Sequence, residues 1–420
     1  MKEIIVPPDK SISHRAILIG SLCKKPLKIK NPLKAGDILS TISCLRSLGI
    51  RIDEECGMRN GKWGVNNNEI IVYGKSWKKP EAPLYCGNSG TTMRLLSGIL
   101  AGLPYEVILT GDSSLSKRPM KRIGEPLSMM GAKFVGDYPP ITIEGGDLKA
   151  ISYKMPISSA QVKSAILLAG LSATGKTSIT EPLLSRDHTE RMLEFLCVPI
   201  KRDGFTISLD GPFEIEGGLE IEIPGDFSSA SFFIGASIIL NREIKIKNTG
   251  INKTRMGFLD CLKKMGAAFT IENERLISNE PIGDIIINPS RLSGIEVSSK
   301  DIPMMIDEVP ILSILALFAE GTTIIKGASE LRAKETDRIK AMILELSKLG
   351  ARISELPDGM LIEGGYPLKG AGLYSHKDHR IAMALSVLSL KVPGIEIEGR
   401  EWADISFPNF YEMISWFKEG

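Results

Sequence analysis

The sequence contains few residues of the types that bind metals or form disulfides. Its 420 residues include six cysteines, none of them in a C-x-x-C pair, and four histidines. A structural zinc site needs about four such ligands at clustered spacings, and a disulfide framework needs closely spaced cysteine pairs. We therefore expect all six cysteines, Cys56 among them, to be reduced and structural, and we expect neither a metal nor another cofactor.

Long apolar runs and an excess of charge of one sign are also missing. The 52 basic and 50 acidic residues nearly cancel, and no stretch approaches the roughly 18 apolar residues of a membrane helix. The first eight residues, MKEIIVPP, lack the apolar core of a signal peptide. These features predict a cytoplasmic protein, expected to be a monomer, with no nucleic-acid or membrane partner.

An internal repeat organises the chain, which is long enough for two domains of roughly 200 residues each. The second helix of a unit ends in a Gly followed by an apolar residue, as a helix C-cap before a strand does. This ending occurs in Ser47–Ile52, Met129–Phe134, Lys264–Phe269 and Lys348–Ile353. The first helix is apolar on all sides, which predicts burial. It occurs in Ala160–Leu171, Ser229–Leu240 and Val309–Ala319.

We count six units, of which the first and the last look abbreviated, and we expect three in each domain. The turn Pro224-Gly225-Asp226 lies between the third and fourth units. The predicted domains are therefore 10–226 and 1–9 with 227–420. Apolar helices inside and sheets outside give an α/β fold that is inverted with respect to the usual arrangement.

One sequence pattern typical of phosphate-binding loops occurs in the wrong structural context. Gly170–Thr177 matches G-x-x-x-x-G-K-[ST]. A P-loop requires a strand before the glycines and a helix after them. Here the apolar helix comes first and a β-branched strand follows, so we reject this reading.

Polar clusters recur at equivalent places in the repeats, mostly where a helix begins. They are Asp9–Arg15, Gly87–Arg94, Ser116–Pro119, Ser158–Gln161, Ile306–Pro310, Ala333–Arg338 and Lys377–Arg380. Any one of them reads as an ordinary helix cap. Seven at equivalent positions instead predict one cleft where helix N-termini and basic side chains bind anions.

The clusters, taken in order, resemble the family of 5-enolpyruvylshikimate-3-phosphate synthases. The motifs are Lys10-Ser-x-x-x-Arg15, Gly-Asn-Ser-Gly-Thr, Lys-Arg-Pro, Ser-Ala-Gln, Ile-Asp-Glu, Lys-Glu-Thr-Asp-Arg and Asp-His-Arg. The resemblance extends from Lys10 to about Phe410. It implies a two-domain inside-out α/β barrel, the enolpyruvyl transferase fold, with three βαββαβ-type repeats per domain and an active site in the interdomain cleft. It also implies transfer of the enolpyruvyl group of phosphoenolpyruvate to the 5-hydroxyl of shikimate 3-phosphate.

The resemblance further implies roles for particular residues. Asp307, Glu335 and Lys10 would be catalytic. Shikimate 3-phosphate would be bound by Lys10, Ser11, Arg15, Ser159, Ala160, Gln161, Ser185, Asp307 and Lys334. Phosphoenolpyruvate would be bound by Lys10, Asn88, Gly90, Arg118, Gln161, Arg338, His379 and Arg380.

The sequence departs from the family's pattern at Ile405, where some members have a Lys shortly before the C-terminal Phe-Pro. Other cations, with Arg118 and Arg380 as candidates, must then hold the phosphate of phosphoenolpyruvate. Two alternatives stay open. One is the related transferase that acts on UDP-N-acetylglucosamine through a loop Cys, although the matching loop 113–119 has no Cys. The other is a non-catalytic anion-binding repeat protein, which would gain nothing from Asp307 and Glu335.

Overall fold

A computed structural model describes residues 1–55, 58–59, 62–63 and 68–419. The described cysteines are all free, and Cys56 lies outside the described residues. None of the helices found in these ranges is long and apolar enough to cross a membrane. Over the same ranges, no group of three or more His, Cys, Asp and Glu side chains is arranged to hold a metal ion.

The chain forms two compact units, each with its own hydrophobic core. The N-terminal unit comprises Pro8–Pro224 with Leu276–Glu280. The C-terminal unit comprises Met1–Pro7, Gly225–Arg275 and Pro281–Gly420.

The helices of both units follow in chain order. They are α1 (Lys10–Gly20), α2 (Gly36–Ser47), α3 (Gly90–Ala101), α4 (Lys121–Met129), α5 (Ala160–Gly170), α6 (His188–Phe195), α7 (Phe227–Leu240), α8 (Gly257–Met265), α9 (Val309–Phe318), α10 (Arg338–Lys348), α11 (His379–Ser389) and α12 (Phe410–Glu419). Short 3-10 helices cover Leu115–Lys117, Lys253–Arg255, Ile302–Met304, Ser329–Ala333 and Arg400–Ile405.

The strands are numbered in the same way. They are β1 (Lys2–Ile5), β2 (Leu27–Lys30), β3 (Arg51–Glu55), β4 (Met58–Arg59), β5 (Lys62–Trp63), β6 (Glu69–Tyr73), β7 (Leu84–Tyr85), β8 (Glu106–Thr110), β9 (Lys133–Val135), β10 (Ile141–Glu144), β11 (Ser152–Lys154), β12 (Gly175–Thr180), β13 (Lys201–Asp203), β14 (Thr206–Gly211), β15 (Glu220–Glu222), β16 (Ile244–Gly250), β17 (Phe269–Ile277), β18 (Glu280–Ile287), β19 (Glu296–Val297), β20 (Thr322–Ile325), β21 (Arg352–Leu356), β22 (Gly359–Glu363), β23 (Gly372–Tyr374) and β24 (Glu396–Glu398).

The sheets repeat one topology. The N-terminal unit contains the sheets β15-β2-β6-β3, β7-β8-β10-β9 and β11-β12-β14-β13, and β4 pairs with β5. In each four-stranded sheet the first two strands are parallel and the other neighbours are antiparallel. The C-terminal unit contains β1-β16-β18-β17, β19-β20-β22-β21 and the pair β23-β24.

The repeat count agrees with this topology except at its beginning. The last unit is reduced to two strands, as expected. The first unit is not abbreviated, because β15 adds in parallel to β2 and completes its sheet. The sequence does not indicate this pairing, because the completing strand lies about 190 residues further along the chain. The N-terminal strand β1 completes the sheet of β16 in the same way.

The first helix of each repeat lies inside its unit. All residues of α7 from Phe227 to Ile239 are buried. The strands, by contrast, alternate: Leu27 and Ile29 of β2 are buried, and Lys28 and Lys30 are not. Helices buried on every side and sheets with one outward face match the inverted arrangement. The helices approach closely, since a Cβ on Gly98 of α3 would lie 2.2 Å from the carbonyl oxygen of Ala165 on α5.

The predicted turns are confirmed by the backbone. Gly49, Gly131, Gly266 and Gly350 have φ between 82° and 112°, the left-handed region that favours glycine after a helix. The rejected P-loop pattern has α5 before it and β12 after it. Its glycines therefore form a helix-to-strand turn and no phosphate cradle.

Candidate active site

Caps define where the helices carrying the candidate residues begin. The side chains of Asp9, Ser89, Ser159 and Asp226 accept hydrogen bonds from backbone N–H groups in the first turns of α1, α3, α5 and α7. Asp337 and Asp378 do the same for α10 and α11. The capping interpretation is therefore correct for these residues. The candidate binding residues are mostly those just after each cap, in the first helical turn, where backbone N–H groups favour anions.

Lys10 and Arg15 lie on α1 of the N-terminal unit. Lys10 Nζ is 3.1 Å from Asp37 Oδ2 on α2. Arg15 is almost fully buried, and its Nη1 donates to the carbonyl oxygen of Ser11 at 2.9 Å. Burial lowers the pKa of Arg15 to about 10, although the negative charge of Glu190 acts in the other direction and raises it. Both side chains are thus fixed by contacts within the unit.

Arg118 holds the loop before α3. Its Nη2 donates to Asn88 Oδ1 at 2.6 Å, and its Nη1 donates to the Asn88 carbonyl oxygen at 3.2 Å. Asn88 Nδ2 in turn donates to Asp112 at 2.7 Å. A Cβ on Gly90 would lie 3.1 Å from Arg94 Nη1 and 3.4 Å from Arg118 Nη1, so a larger residue would crowd the Arg94 guanidinium first.

Gln161 connects α5 to α3. Its Oε1 accepts from Arg94 Nη1 at 2.7 Å, and its Nε2 donates to Thr91 Oγ1 at 2.9 Å. The start of α5 also meets the loop that carries Ser185, since Ser158 Oγ donates to the Leu183 carbonyl oxygen at 2.6 Å. Ser159 caps α5 and Ala160 is its first residue.

Hydrogen bonds therefore connect the N-terminal ends of α1, α3 and α5. Thr41 Oγ1 on α2 lies 2.8 Å from His14 Nδ1 on α1 and 2.7 Å from Thr92 Oγ1 on α3. The structure thus brings together the predicted residues of this unit. These are Lys10, Ser11, Arg15, Asn88, Gly90, Arg118, Ser159, Ala160, Gln161 and Ser185. Arg94 is not among the residues predicted from the sequence, although it ends the Gly87–Arg94 motif.

In the C-terminal unit one buried arginine, Arg338, contacts three carboxylates. Its Nε and Nη2 lie 2.8 Å from Asp378 Oδ2 and Glu335 Oε2, and its Nη1 lies 3.3 Å from Asp307 Oδ1. Burial alone would lower the pKa of Arg338, but the charges of Asp378, Glu335 and Asp307 outweigh it and raise this pKa. The arginine stays charged and fixes the spacing of its carboxylates.

Asp307 also lies near two further cations. Its Oδ1 is 3.9 Å from Lys334 Nζ and 3.8 Å from Arg380 Nε. The side chains of Asp307 and Glu335 are 14% and 17% exposed, whereas that of Asp378 is inaccessible. Asp307 and Glu335 are therefore the two carboxylates of this cluster that a ligand can reach.

His379 and Arg380 begin α11 and are buried. Asp378, which we had not included, caps this helix through the N–H of Arg380 at 2.8 Å and simultaneously binds Arg338. Glu308 was also missed: it is fully buried and its Oε1 lies 3.9 Å from Arg380 Nη1. Both belong to motifs that the sequence displays, next to residues that we did select.

The position of the unusual Ile405 is at the end of the 3-10 helix Arg400–Ile405. The loop 113–119, matched to the Cys-bearing loop of the alternative transferase, contains the short 3-10 helix Leu115–Lys117, which Arg118 follows.

Comparisons with known proteins agree with these features. The family model for EPSP synthase (3-phosphoshikimate 1-carboxyvinyltransferase) matches residues 1–414. Proteins named 3-phosphoshikimate 1-carboxyvinyltransferase from Thermodesulfovibrio yellowstonii and Desulfitobacterium hafniense are 51% and 47% identical. The alignments cover 98% of this chain and 96% and 94% of those proteins.

Solved structures give the same result for the fold. EPSP synthase from Acinetobacter baumannii superposes with a TM-score of 0.84 at 43% identity, covering 99% of this chain and 95% of that one. The enolpyruvyl transferase NikO from Streptomyces tendae, at 17% identity, covers 99% and 94% with a TM-score of 0.77. The predicted enolpyruvyl transferase fold is confirmed. By sequence over nearly its whole length, and by structure, the chain belongs to the EPSP synthase (3-phosphoshikimate 1-carboxyvinyltransferase) family.

Proposed function

We propose that this protein transfers the enolpyruvyl group of phosphoenolpyruvate to the 5-hydroxyl of shikimate 3-phosphate, releasing 5-enolpyruvylshikimate 3-phosphate and phosphate. Family membership supports the reaction. The observation that carries the chemistry is Arg338, which binds two partly exposed carboxylates, Asp307 and Glu335, through separate nitrogens. A protein that only bound anions would gain nothing from carboxylates at a cationic site.

Electrostatics explains the number of cations. Each substrate carries a phosphate and a carboxylate, and two like charges about 8 Å apart repel by roughly 2 kcal/mol at an effective dielectric constant of about 20. Several such repulsions must be offset before the substrates can react. The groups proposed to do so are Lys10, Arg15, Arg118, Lys334, Arg338 and Arg380.

The proposed chemistry is addition followed by elimination. A base removes the proton of the 5-hydroxyl, and the hydroxyl oxygen attacks C2 of phosphoenolpyruvate while an acid protonates C3. The resulting tetrahedral intermediate then loses phosphate and one proton from its C3 methyl group, which restores the double bond. We assign these proton transfers to Asp307 and Glu335, with Lys10 as a further catalytic cation.

The binding roles follow the family's motifs. For shikimate 3-phosphate we propose Lys10, Ser11, Arg15, Ser159, Ala160, Gln161, Ser185, Asp307 and Lys334. For phosphoenolpyruvate we propose Lys10, Asn88, Gly90, Arg118, Gln161, Arg338, His379 and Arg380. The balanced net charge supports a further proposal, that the enzyme has no nucleic-acid partner. We also propose that it works in the cytoplasm as a monomer.

Phosphate release measured with different acceptors tests the reaction. With phosphoenolpyruvate present, we expect release with shikimate 3-phosphate and none with UDP-N-acetylglucosamine or with no acceptor. Unphosphorylated shikimate is the matched control, because it keeps the 5-hydroxyl and lacks the 3-phosphate. Release with UDP-N-acetylglucosamine would favour the related transferase, and binding without release would favour an anion-binding protein.

Chelators test the expectation that the reaction needs no metal. Side-chain cations supply the positive charge in the proposed mechanism, so activity should be unchanged after exhaustive treatment with EDTA and with 1,10-phenanthroline. The measurement is the initial rate of phosphate release before and after treatment. Loss of activity that added metal restores would contradict the proposal.

A further inference from the structure

A buried cluster of charges lies in the N-terminal unit behind the candidate substrate residues. Lys163 of α5 contacts two carboxylates: its Nζ is 2.7 Å from Glu181 Oε2 and 2.7 Å from Glu190 Oε1. The side chains of all three residues are at most 1% exposed. We call these three residues the Lys163 cluster. None of them is among the binding or catalytic residues proposed above.

Stability alone does not account for the Lys163 cluster. Burying three charges costs several kcal/mol per ion, and apolar residues of similar volume usually serve a core equally well. Burial lowers the pKa of Lys163, but Glu190 and Glu181 outweigh it and raise this pKa, so the lysine is charged. A charged cluster kept inside an otherwise apolar helix layer suggests a role in placing other groups.

The Lys163 cluster first fixes Ser185. The Ser185 hydroxyl donates to Glu181 Oε1, and its backbone N–H donates to Glu181 Oε2 at 3.4 Å. Lys163 Nζ donates to the Ser185 carbonyl oxygen at 3.3 Å. Every polar group of Ser185 therefore contacts the Lys163–Glu181 pair.

The Lys163 cluster also fixes Arg15 through the neighbouring residues. Lys163 and Glu190 join α5 to α6, and the adjacent residues Ser164 and Thr189 join the same two helices, with 2.6 Å between their hydroxyl oxygens. Arg15 Nε donates to Thr189 Oγ1 at 2.7 Å, and its Nη2 donates to Ser164 Oγ at 3.0 Å. The spacing between α5 and α6 thus determines where the guanidinium points.

We propose that Lys163 is a positioning residue for shikimate 3-phosphate. Its ion pair with Glu181 fixes the position of the loop that carries Ser185. Its ion pair with Glu190 fixes the spacing between α5 and α6, and this spacing determines the orientation of the Arg15 guanidinium. This inference rests on the proposed function, because it assigns Arg15 and Ser185 to that substrate. Lys163 itself does not contact the substrate in this proposal.

Two variants test the positioning role. Lys163→Met leaves two buried carboxylates without their cation, so it could also impair folding. Lys163→Met combined with Glu190→Gln keeps the net charge of the cluster while removing the α5–α6 ion pair. For either variant we expect the KM for shikimate 3-phosphate to rise about 10- to 100-fold, as misplacement of a binding group does. The KM for phosphoenolpyruvate should change less than about threefold.

The control is Lys133→Met, which removes a solvent-exposed ion pair with Glu144 in the same unit and should change neither KM. A second readout does not depend on substrate. In ¹⁵N-labelled protein the Arg15 Nε–H signal, assigned by its loss in Arg15→Lys, should exchange slowly with water and should exchange faster in the double variant.

The outcomes separate the two proposals. If the wild-type protein neither binds shikimate 3-phosphate nor releases phosphate, the proposed function fails, while the Arg15 signal still reports on positioning. If the double variant keeps both the wild-type KM for shikimate 3-phosphate and slow exchange at Arg15 Nε, the positioning role of Lys163 is overturned. A rise in both KM values together would also overturn it, in favour of a general structural role.

Discussion

Glu335→Gln should lower kcat by about 10²- to 10⁴-fold, the usual value of one general acid–base step. The affinity for shikimate 3-phosphate should stay within about threefold, because this substitution removes the proton-transfer group and little binding. Glutamine has nearly the same shape, and its amide oxygen can still accept the hydrogen bond that Arg338 Nη2 donates to Glu335 at 2.8 Å. The geometry of the Arg338 cluster should therefore survive.

The measurement combines initial rates of phosphate release with calorimetric titration of shikimate 3-phosphate. Glu363→Gln is the matched control, because Glu363 also pairs with an arginine, Arg352 at 3.4 Å, but on the surface. It should leave kcat unchanged. An equal loss of turnover and of substrate affinity in Glu335→Gln would contradict the acid–base role and indicate a binding role instead.

The repeat, the helix caps and the glycine turns could be predicted from the sequence because each is a local property. A glycine after a helix indicates a left-handed backbone, as at Gly49. A small polar residue before a helix indicates an N-cap, as at Ser89. These two signals also located the first helical turns, and with them most of the candidate site. The completion of the first sheet by β15 depends on a pairing between distant residues, which no local signal reports.

Contacts between distant side chains were missed for the same reason. Lys163 lies in a helix that the sequence presents as apolar, and its partners Glu181 and Glu190 come from a strand end and another helix. Arg338 was selected as a ligand for an anionic substrate. The structure adds that its three donor groups already contact carboxylates of this chain, so its first effect is to organise Asp307 and Glu335.

Arg338→Met should destabilise the C-terminal unit by about 3 to 5 kcal/mol, the usual consequence of removing one partner from a buried ion pair. Arg338 is 1% exposed, and three carboxylates converge on it. Without the guanidinium, the inaccessible Asp378 would lose its cation. Asp307 and Glu335 would lose the positive charge that both of them contact. The free energy of unfolding can be measured by urea titration followed through hydrogen exchange in peptides of α9 and α11.

Arg332→Met provides the comparison, because Arg332 also pairs with two carboxylates, Asp337 at 3.0 Å and Glu355 at 2.7 Å, but is 26% exposed. It should cost about 1 kcal/mol or less. Adding Asp378→Asn to Arg338→Met should recover part of the lost stability, since asparagine still caps α11 and carries no charge. If Arg338→Met were no more destabilising than Arg332→Met, unpaired buried charge could not be what makes Arg338 necessary to this unit.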